Sequence, residues 1–299
     1  MPAAAVGITV PAALRTVRFT EPRDRMSPVS QQEMRRTAEE CFRRGDLTAA
    51  LESLQGAIRR EPADPKHRSF LAQLLMIQGD WSRAIDQLAV LGELDAGSLP
   101  MVHACGAAIQ CERLRTDVFA GTRGPLLLGE PEVWIAELIQ SVALLAQGRT
   151  AEAAELRARA FESAPAVPGT LNGTPFEWIA DADSRLGPLL EVLLNGGYYW
   201  VPLHRISRIT AKPPSQLSDF IWLPADFVWA NGGEAVGLIP VRYPGTELAP
   251  DPATRMARRT EWRELDNATC TGLGQRVFAT DSSELALLEL RDLSFTPAA

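Results

Sequence analysis

Two ten-residue stretches of the chain are nearly the same, and they lie 34 residues apart. The first, GDLTAALESL, runs from Gly45 to Leu54, and the second, GDWSRAIDQL, runs from Gly79 to Leu88. Each begins with a glycine, which adopts a positive φ at little cost, and continues with an aspartate that can cap a helix. Apolar residues then recur at helical spacing. The repeat therefore predicts stacked pairs of helices with a glycine in the turn of each pair.

A period of 34 residues is that of the tetratricopeptide repeat, a helix–turn–helix unit. A third copy, GRTAEAAEL, starts at Gly148, whereas the copy between has Arg113 where a glycine is expected. We interpret residues 29–165 as a TPR-like helical repeat domain, in which Gly45, Gly79 and Gly148 have structural turn roles. Helices are predicted near 30–44, 47–60, 66–78, 81–94, 99–119, 131–147 and 150–163.

The first 28 residues differ in composition from the repeats. They carry four arginines and four prolines. The basic residues follow the mildly apolar part, which is the reverse of the order in a secretory signal. We interpret residues 1–28 as a disordered leader.

After Pro165 the helical spacing gives way to short runs of β-prone residues. We interpret the Pro- and Gly-rich residues 166–175 as a linker. Residues 176–299 are interpreted as an antiparallel β-rich α+β domain, so the fold class of the whole chain is α+β.

Three hairpins are predicted in this second part. Asn-Gly-Gly at 195–197 separates LLEVLL from YYWVPL, and Asn-Gly-Gly at 231–233 separates FVWA from EAVGLIPV. Asn-Gly between two apolar runs is the strongest short hairpin signal. A third strand pair, QRVFA and LALLELRDLSF, is predicted with its turn at 280–284.

The stretch WIADADSRLGP places Asp181, Asp183 and Arg185 close together. Two carboxylates at this spacing can bind a hard metal ion or act as acid and base. The alternative is structural, with one aspartate capping a turn and Arg185 paired with the other. No third acidic residue stands nearby, and the chain has no P-loop, HExxH motif or serine elbow. We therefore assign the three residues structural roles and predict no catalytic, cofactor-binding or metal-binding residues.

A stack of helical pairs offers a groove along the first helix of each pair, where a partner helix can lay its apolar face. Trp134 is the preferred anchor, because a half-exposed tryptophan at the start of a helix supplies a large contact area. A competing surface is the aromatic run after the first hairpin turn. The candidate partner-binding residues are Phe70, Leu74, Met101, Trp134 and Leu138 in the groove, and Tyr198, Tyr199 and Trp200 in the aromatic run.

Charge and hydropathy exclude two classes of partner. The net charge is −7 and the chain has no large basic patch, so nucleic acid is not an expected partner. The longest apolar runs contain a charge or a proline and are far too short to span a bilayer. No membrane contact is therefore predicted.

Several C-terminal strings are long and specific. FEWIADADSRLGPLLEVLLNGGYYWVPLHRI, IWLPADFVW, IPVRYPGTE and GLGQR resemble the ImpE/TagJ family of type VI secretion accessory proteins. The resemblance covers the chain from about residue 31 to residue 297. It implies a helical repeat domain followed by an α+β domain, which agrees with the interpretation above.

The resemblance also implies a function. Members of this family are cytoplasmic, have no established catalytic activity, and associate with the N-terminal helix of the small sheath subunit of the contractile tail. They assist the interaction of the sheath with its AAA+ ATPase, ClpV. The expectation is thus a non-catalytic adaptor without cofactors. The alternative is a ligand-binding or hydrolytic protein that uses the Asp181, Asp183 and Arg185 cluster.

Overall fold

The computed structural model describes residues 37–266 and 269–296, so the predicted leader 1–28 lies outside the described residues. The first part of this range is built from helices, as the repeat predicts. Their bounds are 37–44 for α1, Leu47–Arg60 for α2, Pro65–Ile77 for α3, Trp81–Leu94 for α4, Leu99–Phe119 for α5, Val133–Ala146 for α6 and Thr150–Ser163 for α7.

The repeat glycines occupy equivalent turns. Gly45 lies between α1 and α2, Gly79 between α3 and α4, and Gly148 between α6 and α7, with φ values of +89°, +74° and +76°. A β-carbon on Gly79 would come within 2.7 Å of the Glu247 side chain, so this turn also packs against the second part of the chain. All three glycines thus lie in helix–helix turns at positive φ.

Helix α5 departs from the repeat. Arg113 lies inside a continuous 21-residue helix, because the turn glycine is missing at that point. The chain leaves the helix through Gly121, at φ +70°, and forms the short strand β1 before α6 begins. The long helix α5 consequently contacts the neighbouring helices α4 and α6 as well as the sheet.

The second part of the chain is dominated by a nine-stranded sheet. Its strand order is β1-β6-β5-β9-β8-β7-β14-β2-β3, and β1 pairs with β6 in parallel whereas the other pairs are antiparallel. The bounds of these strands are Leu126–Leu127 for β1, Gly169–Leu171 for β2, Thr174–Phe176 for β3, Leu189–Leu194 for β5, Gly197–Pro202 for β6, Ile206–Ala211 for β7, Trp222–Trp229 for β8, Glu234–Pro240 for β9 and Asp292–Phe295 for β14.

Two smaller sheets and one short helix complete the described fold. The hairpin β10–β11 stands alone, and β12 lies between β13 and β4. The bounds of these elements are Ile179–Asp181 for β4, Pro252–Arg255 for the helix α8, Thr260–Asp266 for β10, Thr269–Gly274 for β11, Val277–Thr280 for β12 and Glu284–Ala286 for β13.

The two Asn-Gly-Gly hairpins are confirmed. Strands β5 and β6 are joined by Asn195 and Gly196, which both adopt positive φ, and β8 pairs with β9 across the second turn. The third predicted strand pair is partly wrong. Strand β13 does pair with β12, but the predicted partner run then breaks at a short 3-10 helix, and its last part, β14, joins the large sheet instead.

Residues 166–175, predicted as a linker, contain paired backbone. Strands β2 and β3 form a hairpin here at the edge of the large sheet, and β2 also pairs with β14. Asn172 and Gly173 make its turn at positive φ. The prediction of a linker is wrong here because proline and glycine, on which it rests, also suit a short edge hairpin.

The helices and one face of the sheet share a single hydrophobic core. Leu189, Leu193 and Trp200 of the sheet pack in the same cluster as Leu74 and Ile135 of the helices. The opposite face of the sheet forms a second cluster, which includes Leu190, Val192 and Phe227 among others. The predicted α+β class is confirmed, but the two parts of the chain are packed together along α5 rather than merely tethered.

Candidate partner-binding groove

A cavity of about 730 Å³ lies between the inner helices of the first repeats and a loop of the β-rich part. We call it the repeat groove. Its lining residues are Glu39, Phe42, Arg43, Pro65, Lys66, Ser69, Phe70, Gln73, Asp95, Ser98, Pro214, Ser215, Gln216, Leu217, Phe220 and Arg258. Helices α1 and α3 thus form one wall, and the loop after β7 forms the other.

The floor of the repeat groove is apolar and its walls are joined by hydrogen bonds. Phe42 and Phe70 are each 8% exposed and face it from two successive repeats. The Gln73 side chain accepts a hydrogen bond from the backbone N–H of Ser218 at 3.3 Å and donates one to Ser69 at 3.2 Å. The groove is therefore preformed in part, with its β-domain wall held against α3.

The rim of the repeat groove carries charges of both signs. Exposed Arg43 and Lys66 lie on the helical side with Glu39 nearby, and Asp95 lies at the far end. Arg258 reaches from the β-rich part, where its guanidinium donates to the carbonyls of Arg43 and Phe42 and lies 5.6 Å from the Phe42 ring centre. An apolar floor with a charged rim suits an amphipathic segment.

The repeat groove continues along α5. A second cavity of about 300 Å³ is bordered by Met101, Ala104, Gln216 and Leu238, and Gln216 also borders the repeat groove. A third cavity of about 250 Å³ shares Ala104 and Leu238 with the second. Small residues of α5, Ala104 among them, line the second and third cavities, so the three cavities adjoin one another.

The predicted groove residues are mostly buried. Phe70 lines the repeat groove and half-buried Met101 lines its continuation, whereas Leu74 and Leu138 are no more than 1% exposed and belong to the core. The expectation that Trp134 is half-exposed is wrong, because its side chain is only 4% exposed. Of the five residues, Phe70 and Met101 are the ones that the structure brings to the recesses.

Trp134 is covered by the loop that follows β6. Its indole N–H donates to Glu132 at 2.8 Å, and its ring lies 6.2 Å from the His204 ring. Arg205 also binds the Glu132 carboxylate. A residue at the start of a helix is normally accessible, but here the β-rich part closes over it.

The aromatic run after the first hairpin turn is divided between the two faces of the sheet. Tyr198 and Trp200 point to the helices and are 1% and 0% exposed, while half-buried Tyr199 packs on the other face. This alternation follows from the strand geometry of β6. Of the three residues, Tyr199 alone keeps a partly accessible side chain.

Arg185 pairs with Asp183, as the structural interpretation predicts. The guanidinium binds Asp183 Oδ1 at 2.9 Å and Oδ2 at 2.5 Å, and Oδ2 also accepts from the Gly272 N–H at 2.9 Å. The Arg185 guanidinium lies 5.0 Å from the ring centre of Phe119, the last residue of α5. This pair therefore ties the start of the β-rich part to the end of the long helix.

Asp181 belongs to a different set of contacts, which we call the buried ionic cluster: Arg115, Asp181, Glu191 and Arg276, with the hydroxyls of Tyr198 and Tyr243. Arg276 binds both Asp181 and Glu191. Arg115 of α5 binds the two oxygens of Glu191 at 2.7 and 2.9 Å. These two arginines and two carboxylates are all at most 5% exposed by side chain, so the charges neutralise one another out of contact with water.

The tyrosines complete the hydrogen bonding of the buried ionic cluster. Tyr198 donates its hydroxyl proton to Glu191 and accepts from the Trp200 indole N–H at 2.6 Å. Tyr243 donates to Asp181 at 2.9 Å. The two carboxylates need these hydrogen bonds because an unpartnered buried charge is costly.

The two carboxylates of the buried ionic cluster respond differently to burial. Burial raises the pKa of the Glu191 carboxyl, but Arg115 and Arg276 outweigh it and hold the pKa at about 2. For Asp181, burial outweighs the attraction of Arg276, and the neighbouring Asp183 adds repulsion, so the pKa is raised to about 6. Glu191 is therefore ionised at neutral pH and forms the charged centre of the cluster.

Sequence reasoning missed Glu191 and Arg276. Glu191 stands alone inside the apolar run LLEVLL, and Arg276 ends the stretch GLGQR. The signal in the sequence is a single charged residue in a strand whose two faces are otherwise apolar. Such a residue needs a buried partner, but the partner cannot be named from the sequence because Arg276 lies 85 residues away.

The Asp181 and Asp183 carboxylates are withdrawn from solvent, whereas Arg185 borders a small cavity of about 220 Å³. Both carboxylates are at most 3% exposed, and each is neutralised by an arginine and hydrogen-bonded to the backbone. General acid–base catalysis requires a carboxyl group within hydrogen-bond reach of a substrate. These ion pairs and hydrogen bonds instead hold the helical and β-rich parts together.

Fold and site together define a class of protein: a TPR-like repeat packed on a β-rich domain, with a groove between the repeat helices and a loop of the β-rich part. Within residues 37–266 and 269–296, none of the helices has both the length and the hydropathy needed to cross a membrane.

Comparisons with known proteins agree with this class. A tetratricopeptide repeat family matches residues 42–109, and the ImpE protein family matches residues 173–294. The type VI secretion system accessory component TagJ of Pseudomonas aeruginosa strain PAO1 is 49% identical over 260 residues, which cover 87% of this chain and 91% of that protein. The chain therefore belongs to the ImpE/TagJ family of type VI secretion accessory proteins.

A solved structure supports the fold independently. The crystal structure of a protein from Vibrio parahaemolyticus superposes with a TM-score of 0.80 at 26% identity. The match covers 87% of this chain and 98% of that one. The packing of the repeats on the sheet is thus shared with a second protein of the same architecture.

Proposed function

We propose that this chain is a non-catalytic adaptor of a type VI secretion system that binds the N-terminal helix of the small sheath subunit in the repeat groove. In this role it works in the cytoplasm and assists the handling of the sheath by a ClpV-type AAA+ ATPase. Neither nucleic acid nor a cofactor takes part.

The observation that carries this proposal is the shape of the repeat groove. It lies along the inner helices of the repeats, its floor is apolar, and its rim carries both signs of charge. An amphipathic helix places apolar side chains at i, i+3, i+4 and i+7 on one face and polar ones on the other. The continuation along α5 supplies further recesses for the next turns of such a helix.

The burial of Asp181 and Asp183 favours an adaptor over an enzyme that uses these carboxylates. In the alternative source of activity, the cluster of Asp181, Asp183 and Arg185, both carboxylates are buried, and each is paired with an arginine, Asp181 with Arg276 and Asp183 with Arg185. The relative from Pseudomonas aeruginosa is named as an accessory component of the secretion system. That name agrees with a role in assembling or recycling other proteins.

The test is a binding measurement with the purified small sheath subunit of the same system. We expect the intact subunit to bind with a saturable isotherm and the subunit without its N-terminal helix to show no binding. A mutant subunit with the helix retained but its apolar face changed to serine provides the matched control for folding. Equal binding of the intact and truncated subunits would refute the proposed recognition of the helix.

A further inference from the structure

The turn between the first two repeats brings together Glu61, Asp64 and His67. Glu61 caps the end of α2, Asp64 is the N-cap of α3, and His67 lies in the first turn of α3. One donor atom from each of the three side chains lies within 4.8 Å of the other two. The three residues are three positions apart across a tight Pro-Ala turn, and this spacing brings their side chains together.

His67 gives this cluster an unusual feature. The residue is only 3% exposed, and its Nδ1 atom is buried without a hydrogen-bond partner among the described residues. The nearest carboxylate oxygen, Asp64 Oδ2, lies 3.6 Å away, which is longer than a hydrogen bond. Buried polar atoms in native proteins almost always have a partner, so this nitrogen requires an explanation.

The two oxygens of Asp64 have separate surroundings. Oδ1 accepts the Lys66 N–H at 2.8 Å and so caps the helix. Oδ2 is the atom that faces the imidazole. The cluster thus presents one imidazole nitrogen and two carboxylate groups, of which Asp64 is already fixed in orientation by its capping bond.

We propose that Glu61, Asp64 and His67 bind a divalent first-row transition cation, represented by Zn²⁺. His67 Nδ1, Asp64 Oδ2 and a Glu61 oxygen are the protein ligands, and solvent completes the coordination. Imidazole favours zinc-like ions, whereas Mg²⁺ and Ca²⁺ prefer sites made of oxygen alone. The ion links the end of α2 to the start of α3, next to Lys66 on the rim of the repeat groove, and this site is independent of the proposed function.

The experiment uses the untagged full chain, stripped with a chelator and titrated with Zn²⁺ by calorimetry. Asp64→Asn and Glu61→Gln remove one anionic ligand each, and asparagine caps a helix as well as aspartate does. Asp80→Asn changes the equivalent cap of α4 and is the matched control. His103→Ala removes an exposed histidine outside the cluster and controls for adventitious binding.

We expect one equivalent of Zn²⁺ to bind the wild-type chain, with the affinity reduced at least about tenfold in Asp64→Asn and Glu61→Gln and unchanged in both controls. Circular dichroism checks that each variant is folded, and if Asp64→Asn is not, Glu61→Gln alone decides. The proposal is overturned if the wild-type chain shows no saturable binding, if the folded ligand variants bind as well as the wild type, or if Mg²⁺ binds as tightly as Zn²⁺.

Discussion

Replacement of Glu191 by glutamine tests whether the buried ionic cluster holds the two parts of the chain together. Glu191 Oε1 accepts from Arg115 and Tyr198, and Oε2 accepts from Arg115 and Arg276. Glutamine keeps one acceptor oxygen and turns the other into an NH₂ group. That group then faces N–H and O–H donors in a site with no exposure to water.

The expected cost follows from this geometry. Removal of one partner of a buried ion pair costs about 3–5 kcal/mol, because the remaining charge stays buried without compensation. Here two arginines lose a shared carboxylate, although each keeps a second acidic contact, Glu112 for Arg115 and Asp181 for Arg276. We therefore expect a loss of about 3–5 kcal/mol in the free energy of unfolding.

The assay is urea unfolding at pH 7 followed by tryptophan fluorescence, with the change of midpoint converted through a shared m-value. Glu152→Gln is the matched control, because Glu152 forms an ion pair with Arg149 in which both side chains are at least half exposed. We expect no measurable change in that variant. If Glu191→Gln unfolds at the same urea concentration as Glu152→Gln, the buried ionic cluster does not stabilise the fold.

Three further outcomes follow from the same structure. The difference in the free energy of unfolding between the wild type and Glu191→Gln should be constant above about pH 5 and vanish as the pH falls toward 2. The reason is that a carboxyl with a folded pKa of about 2 stabilises the fold only while it is ionised. A difference that persists at pH 2 contradicts this. Arg185→Ala should lower the free energy of unfolding by about 3 kcal/mol in urea titrations, since it leaves Asp183 buried without its cation, and Arg149→Ala is the exposed control. Ala84→Leu should cost about 1–3 kcal/mol by overpacking α3 against α4, measured in the same way, because Ala84 has no exposed surface; an unchanged stability would mean that the repeat packing is looser than described.

The helical repeats and the hairpins could be predicted because their signals are local. The glycines at 45, 79 and 148 need a positive φ, and each precedes a helix that starts within two residues. The Asn-Gly turns likewise fix β5–β6 and β8–β9 without reference to the rest of the chain. Backbone conformations of this kind are determined by a few consecutive residues.

The candidate site could be predicted less well because it depends on contacts between distant residues. The repeat groove has one wall from α3 and one from the loop after β7, which is more than a hundred residues away. The same packing buries Trp134 under His204 and joins Arg115 to Glu191. Helical periodicity identifies the inner face of a repeat, but it does not reveal that another part of the chain covers some of that face.

The proposed function requires a helix of the small sheath subunit to bind in the repeat groove. The most direct measurement is the dissociation constant of a labelled peptide with the sequence of that helix, determined by fluorescence anisotropy for the wild type and three variants. Leu217→Ala removes an apolar side chain that lines the groove. Leu248→Ala makes the same change at an 83% exposed position outside the groove. Tyr199→Ala tests the competing surface. We expect Leu217→Ala to weaken binding by about 2 kcal/mol, roughly thirtyfold, with Leu248→Ala and Tyr199→Ala unchanged. Normal binding by Leu217→Ala together with loss of binding by Tyr199→Ala would contradict the claim and place the partner on the sheet.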